Sequence, residues 1–239
     1  AMGITGTEVS KDAAAMILQD DNFATIIKAV SFGRNVYRNI QNAIQFLLSG
    51  NMAGILVVLY CSLAGLPTPL EPVQLLFINL LTDSLPALAI GMEPGDDSLL
   101  NQPPRDPKQG ILTRSFLLRL AGYGALIAVA TMTAFYVGMQ TGTQTAVTMA
   151  FATLTLARLF HGFNCRGRES VFKLGLTTNK WTIGAFGLGV TLLAAVLFLP
   201  FMSKMFMVVP LSLAQTGMIV LLAFLPTVLI QIFKIFQKK

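Results

Sequence analysis

Six apolar runs constrain this chain more than any motif in it, because each is close to the roughly 20 residues that a bilayer's hydrocarbon core asks of a helix. They read Ala43 to Leu66, Val73 to Met92, Phe116 to Met139, Thr143 to Phe163, Thr182 to Phe201 and Leu211 to Phe233. Only 12% of the 239 residues are charged, against about a quarter in soluble chains. The expected fold class is therefore all-α: a polytopic membrane helix bundle with six transmembrane helices. An even count returns both termini to one side.

The basic residues choose the side, because cytoplasmic loops retain Lys and Arg. Lys28, Arg34 and Arg38 precede the first run; Arg105, Lys108 and Arg114 join the second to the third. Arg166, Arg168, Lys173 and Lys180 join the fourth to the fifth, and Lys234, Lys238 and Lys239 close the chain. The opposite loops hold only Glu71 and Lys204. Both termini are expected in the cytoplasm, on a multi-pass protein of the cell membrane. This topology accounts for the formal charge of +6. The basic residues form no aromatic-interleaved patch, which argues against a nucleic-acid partner. Cys61 and Cys165 fall near opposite faces, so no disulfide is expected between them.

The first residues differ in kind. From Ala1 to Asn22 the chain is too polar for a signal peptide and reads as the edge of a soluble domain. It is too short to bury a core of its own. A short helix is expected over Ala13 to Leu18, with Ser10 as its N-cap and Asp20 to Asn22 ending it. From Phe23 an apolar stripe of Ile26, Ile27, Val30, Val36, Ile40 and Ile44 runs into the first span without a breaker. This predicts one long helix, a stalk continuous with the membrane.

Asp83 is the only carboxylate inside an apolar run. A buried charge at membrane depth is costly, so an intramembrane acid points to a functional site. Asn79, Thr82 and Asp83 fall at i, i+3 and i+4, which on a regular helix puts an amide, a hydroxyl and a carboxylate on one face. Oxygens of these types are what a hard cation such as Ca²⁺ takes. Pro86 has no N–H for the carbonyl of Thr82, so the helix is expected to break there and free that oxygen. Asn51, in the polar notch Ser49-Gly50-Asn51, is a further candidate ligand. Together these offer about five oxygens, short of the six to eight of a Ca²⁺ shell. Other readings stay open: Asn79 and Asn51 as interhelical glue, and Thr82 bonded back to its own helix. Arg158, the only basic residue deep in an apolar span, is expected to stand as a fixed positive charge, with snorkelling to the headgroups as the alternative. His161 reads as interfacial, and the scattered methionines as packing.

Two segments resemble a known family. AMGITGTEVSKDAAAMILQDDNFATI is similar to the end of the phosphorylation domain of P-type cation ATPases, and VQLLFINLLTDSLPALAIGMEP to the sixth membrane helix of their calcium-pumping branch. One departure is Ala15, where that family usually has an acid. The resemblance implies that residues 1–27 end the cytoplasmic phosphorylation domain, a soluble α/β domain. It makes 28–66 the stalk and first membrane helix of this chain, and 67–239 its remaining five membrane helices. It also implies a Ca²⁺-transporting ATPase that exports Ca²⁺ from the cytoplasm. ATP and Mg²⁺ would be bound by the missing N-terminal part, which would comprise membrane helices one to four with the actuator, nucleotide and phosphorylation domains, since this chain lacks an Asp-Lys-Thr-Gly-Thr motif and is expected to be inactive alone. The fourth of those helices would supply the remaining ion ligands. Pumps of this kind that carry two ions place further carboxylates where this chain has Gly54 and Arg158. One Ca²⁺ per cycle is therefore expected, with proton countertransport through Asp83. Transport of Mn²⁺ or another cation is an alternative, as is an ATP-independent carrier.

Overall fold

The computed structural model describes residues 1–104 and 110–236; Arg105, Lys108, Lys238 and Lys239, counted above for sidedness, lie outside the described residues. The chain divides into two compact units, one of 1–38 with 94–108 and the other of 39–93 with 109–239.

In the first unit, helix α1 spans Glu8–Ala13, five residues earlier than the sequence predicts. Its N-cap is Thr7, whose hydroxyl accepts the N–H of Ser10 at 3.3 Å, so Ser10 lies inside the helix it was expected to cap. The helix cannot run on to Leu18 because that stretch pairs with the N-terminus. Leu18 forms a parallel bridge with Met2, accepts the N–H of Gly3 at 2.7 Å and donates to the carbonyl of Ala1 at 2.8 Å. Asp21, at φ 50°, fixes the turn that follows by accepting the N–H groups of Ile4 at 2.9 Å and Thr5 at 2.8 Å. Those donors, led by the N–H of Ile4, draw its carboxyl down to about 2.

Helix α2, Ala24–Leu63, is continuous over 40 residues, as the unbroken stripe predicts, and gives 24–38 to the first unit and 39–63 to the second. At about 1.5 Å per residue it is roughly 60 Å long. In the first unit Arg34 binds the carbonyls of Leu99 and Gln102 at 2.5 and 2.7 Å, and Arg38 pairs with Asp96 at 3.1 Å. Asp96 also caps the 3₁₀ turn Asp97–Asn101 through Ser98, and the bonds from Ser98 hold its carboxyl below the usual range.

The second unit is a helix bundle. Beyond α2 it holds α3 (Pro72–Phe77), α4 (Ser84–Gly91), α5 (Arg114–Met139), α6 (Thr143–Asn164), the short α7 (Val171–Leu174), α8 (Lys180–Phe198), α9 (Pro200–Met205) and α10 (Leu213–Phe236). Among the described residues six helical stretches are long and apolar enough to cross a membrane: α2, Pro72–Gly91, α5, α6, α8 and α10. Each overlaps one of the six predicted runs.

Helix α6 is the axis of the bundle, packed by α5, α8 and α10. It is buried on every face, and a helix with no solvent or lipid face belongs at a core. It can approach α5 closely because Gly138 lacks a side chain: a Cβ there would lie 2.5 Å from the Cα of Ala146. The connection between them needs Gly142, whose φ of 140° other residues avoid. Phe77 locks the start of the broken helix into the core, edge-on to Phe151 and Phe206 at 5.7 and 5.2 Å. Cys61 and Cys165 are free, buried thiols.

Candidate ion-binding site

The stretch expected to be a single helix with a kink is three pieces. Between α3 and α4, residues Ile78–Thr82 wind as a π-helix, closed by the N–H of Asp83 on the carbonyl of Ile78 at 2.9 Å. Pro86 is buried in the first turns of α4 and offers no N–H to Thr82, so a regular α-helical bond is unavailable one turn before it. A π turn is wider than an α turn and recurs at functional sites.

Its width changes which side chains share a face. Thr82 and Asp83 are buried, at 0% and 2% exposure. Asn79 is exposed in this chain, and its carbonyl accepts from Ser84 at 3.5 Å. The expectation that Asn79, Thr82 and Asp83 line one face of a regular helix does not hold: the helix is not regular here, and Asn79 is exposed where Thr82 and Asp83 are buried. The Thr82 hydroxyl donates to the carbonyl of Ile78 at 2.9 Å. That bond uses its hydrogen and leaves its lone pairs to accept.

Arg158 on α6 joins what sequence spacing could not. Its Nη2 donates both to the Asp83 carboxylate and, at 3.0 Å, to Oδ1 of Asn51 on α2. Both side chains of the Arg158–Asp83 pair are 3% exposed, so Arg158 does not snorkel to the surface. Gly50 makes room for the guanidinium: a Cβ there would sit 2.6 Å from Arg158 Nε and 2.8 Å from Nη2. Gly54, one turn along α2, is buried but would meet nothing within 4 Å.

The pair is incompletely bonded. Asp83 Oδ1 and Arg158 Nε are both buried without a hydrogen-bond partner. Such groups are rare in native interiors and costly, and each asks for an explanation. Asp83 Oδ1, Asn51 Oδ1 and the oxygens of Thr82 are each of the type a hard cation takes. Among the described residues no three His, Cys, Asp or Glu side chains gather to hold a metal.

Beside Arg158 lies His161, in the last turn of α6 and 1% exposed, buried against its helix neighbours. Its Nε2 lies 2.9 Å from the Ser49 hydroxyl and 3.2 Å from Cys165 Sγ, and its Nδ1 lies 3.3 Å from the Asn164 amide. Ser49 gives its own hydrogen to the carbonyl of Gln45 at 2.6 Å, so it accepts from the imidazole. This ties α2 to α6 one turn from the Asn51–Arg158 contact.

Sequence reasoning missed a further cluster. Arg166 and Lys234 count as loop and tail charges by position, yet they are 1% and 8% exposed. Lys234 binds the carbonyl of Gly167 at 2.6 Å. Arg166 meets Glu93 through two bonds, Nε to Oε2 at 2.9 Å and Nη2 to Oε1 at 2.7 Å. Glu93 carried a signal that went unused: an acid directly after the apolar run, followed by Pro94.

Comparisons with known proteins agree with this architecture. The profile of the family described as "Cation transporting ATPase, C-terminus" matches residues 67–236. The calcium-transporting ATPase of Bacillus subtilis (strain 168) is 40% identical over 233 residues, which are 96% of this chain and 26% of that protein. Calcium-transporting ATPase 1 of Lactococcus lactis subsp. lactis (strain IL1403) is 41% identical over 207 residues, 86% of this chain and 23% of that protein. Calcium-transporting ATPase type 2C member 1 of Mus musculus is 37% identical over 183 residues, 75% of this chain and 20% of that protein. The chain thus spans about a quarter of the length of these relatives.

Proposed function

The chain belongs to the P-type cation-transporting ATPase family, and from that premise we propose that it is the membrane transport portion of an ATP-driven pump exporting Ca²⁺ from the cytoplasm, one ion per cycle. The observation that carries this reading is Arg158 bridging Asn51 and Asp83, with Asp83 Oδ1 buried and unpartnered. A guanidinium stays protonated and offers no lone pair to a metal. It fills with fixed positive charge the region where a second ion would need an acid, and Gly54 supplies none.

Asp83, Thr82, Asn51 and Asn79 are the proposed ligands. Asn79, exposed on the π turn, would meet the ion from the side left open to the rest of the pump. Ca²⁺ arriving at Asp83 would take the open Oδ1, while Arg158 stays on the other carboxylate oxygen as a fixed charge beside the ion. On release to the outside Asp83 takes a proton. Countertransport through this carboxylate is at most one proton per cycle.

ATP and Mg²⁺ would act in parts of the pump outside this chain, with 1–27 closing the phosphorylation domain and the stalk, 28–66, leading to Asn51. Both termini would be cytoplasmic in a cell-membrane protein, and the chain alone would hydrolyse no ATP. The same hard oxygens suit Mn²⁺, so the two metals should be compared in competition binding. The test of the reading is Asp83→Asn in the complete pump. Loss of Ca²⁺-dependent phosphorylation from ATP is expected, and unchanged phosphorylation at low micromolar Ca²⁺ would remove Asp83 from the site.

A further inference from the structure

Two buried arginine–carboxylate pairs join the same two stretches of chain, Pro72–Glu93 and Thr143–Arg166, and they are bonded in opposite ways. Asp83–Arg158 leaves an oxygen and a nitrogen unpartnered. Glu93–Arg166 leaves nothing over on the arginine. Its Nε and Nη2 hold both carboxylate oxygens at 2.9 and 2.7 Å, Nη2 also donates to the Thr178 hydroxyl at 2.6 Å, and Nη1 donates to the carbonyls of Gly175 and Leu176 at 2.9 and 3.4 Å. All five N–H groups of the fork are thereby used.

Asn179 completes the network. Its amide donates to Glu93 Oε2 at 2.7 Å and to the carbonyl of Ala89, in the last turn of α4, at 2.8 Å. Its carbonyl oxygen accepts the N–H groups of Trp181 and Thr182 and so caps α8. From α2, Asn39 donates to the carbonyl of Glu93 at 2.8 Å and Asn42 to the carbonyl of Arg166 at 2.9 Å. Arg166 and Asn179 thus converge on the Glu93 carboxylate, and α2 is tied to the backbone on either side of that pair. The side chains of Glu93, Arg166 and Asn179 are all bonded, while Asn39 Oδ1 beside them is buried without a partner. A satisfied network rigidifies what it joins, whereas the π turn ten residues earlier holds a half-bonded acid.

We propose that Glu93, Arg166 and Asn179 form a positioning clamp that fixes the Glu93 end of α4 to α6 and α8 and confines the movement of the ion site to the π turn Ile78–Thr82 and Asp83. These residues touch no transported ion; they act through α4, by holding Asp83 at the height of Arg158 and Asn51. The proposal rests on the Ca²⁺-pump reading only for its effect on affinity, not for the clamp itself.

The test is amide hydrogen exchange on the full-length pump in nanodiscs, paired with the Ca²⁺ dependence of phosphorylation from ATP. Glu93→Gln keeps the shape and loses the charge. It is expected to raise exchange over residues 84–92, with α5 and α10 unchanged, and to raise the Ca²⁺ concentration for half-maximal phosphorylation by roughly three- to thirtyfold, at an unchanged maximum. A merely structural role would lower the maximum and leave the half-saturation point in place, which overturns the proposal. Unchanged exchange over 84–92 overturns the clamp whatever the pump transports. Raised exchange with unaltered Ca²⁺ dependence overturns its positioning role. Should the wild-type pump show no Ca²⁺ dependence, the functional reading fails while the exchange result still decides the clamp. Arg166→Lys, which keeps the charge but gives up the fork, is read in the same way if Glu93→Gln does not fold.

Discussion

Arg158 and Asp83 form a buried ion pair in which the guanidinium is shared with Asn51 while one carboxylate oxygen is left without a partner. A pair built only for stability would satisfy both members, since a half-satisfied buried network is worse than an apolar core. The open oxygen is what the proposed role of Asp83 as an ion ligand accounts for.

Removing either member should expose that coupling. Arg158→Met strands a buried carboxylate and Asp83→Leu strands a buried guanidinium, and each is expected to destabilise the protein by about 3–5 kcal/mol. The double variant should cost less than the sum of the two by at least about 1 kcal/mol. Thermal unfolding of the purified proteins checks this, and additive losses would mean that the pair is not formed.

Gly50 and Gly54 lie one turn apart on α2 and should respond oppositely to a methyl group. Alanine at 54 meets nothing within 4 Å and is expected to be neutral or to stabilise the helix by up to about 1 kcal/mol. Alanine at 50 would press on a guanidinium already held by two acceptors. A net loss of about 1–3 kcal/mol is expected, together with altered ion affinity. Unfolding midpoints and Ca²⁺ titrations of Gly50→Ala and Gly54→Ala make the comparison.

Asp21 gives a pH signature outside the membrane. Its carboxyl is lowered from 3.8 to about 2 by bonds from Ile4 and Thr5. A lowered value means that its contribution is fully present above about 3.8 and is lost as the pH falls through about 2. The N-terminal turn should therefore hold across neutral and mildly acidic conditions, whereas Asp21→Ala should loosen it there and match the native protein only at pH below about 2. Trypsin cleavage at Lys11 in native protein, faster in the variant, is the measurement.

The bundle was legible because each span is a long apolar run, and length and composition survive any detail of packing. Asp83, Arg158 and Asn51 stood out because a polar group in lipid needs a reason. Their meeting did not stand out: Asn51 and Arg158 are far apart in sequence, and Arg158 could equally have reached the surface. The π turn was half visible, since Pro86 announces a lost bond at Thr82 but not that Asp83 closes on Ile78. At the N-terminus the alanine-rich stretch after Lys11 has high helix propensity, and pairing of Leu18 with Met2 overrode it. Glu93 and Arg166 were hidden because charges beside spans look like loop residues until the fold brings them together.

The central claim is a site for one ion, with Arg158 in the place of a second. Equilibrium binding of radiolabelled Ca²⁺ to the complete pump, normalised to active protein, tests it most directly. One Ca²⁺ per pump, abolished by Asp83→Asn, is the predicted result; two Ca²⁺ per pump would contradict the account.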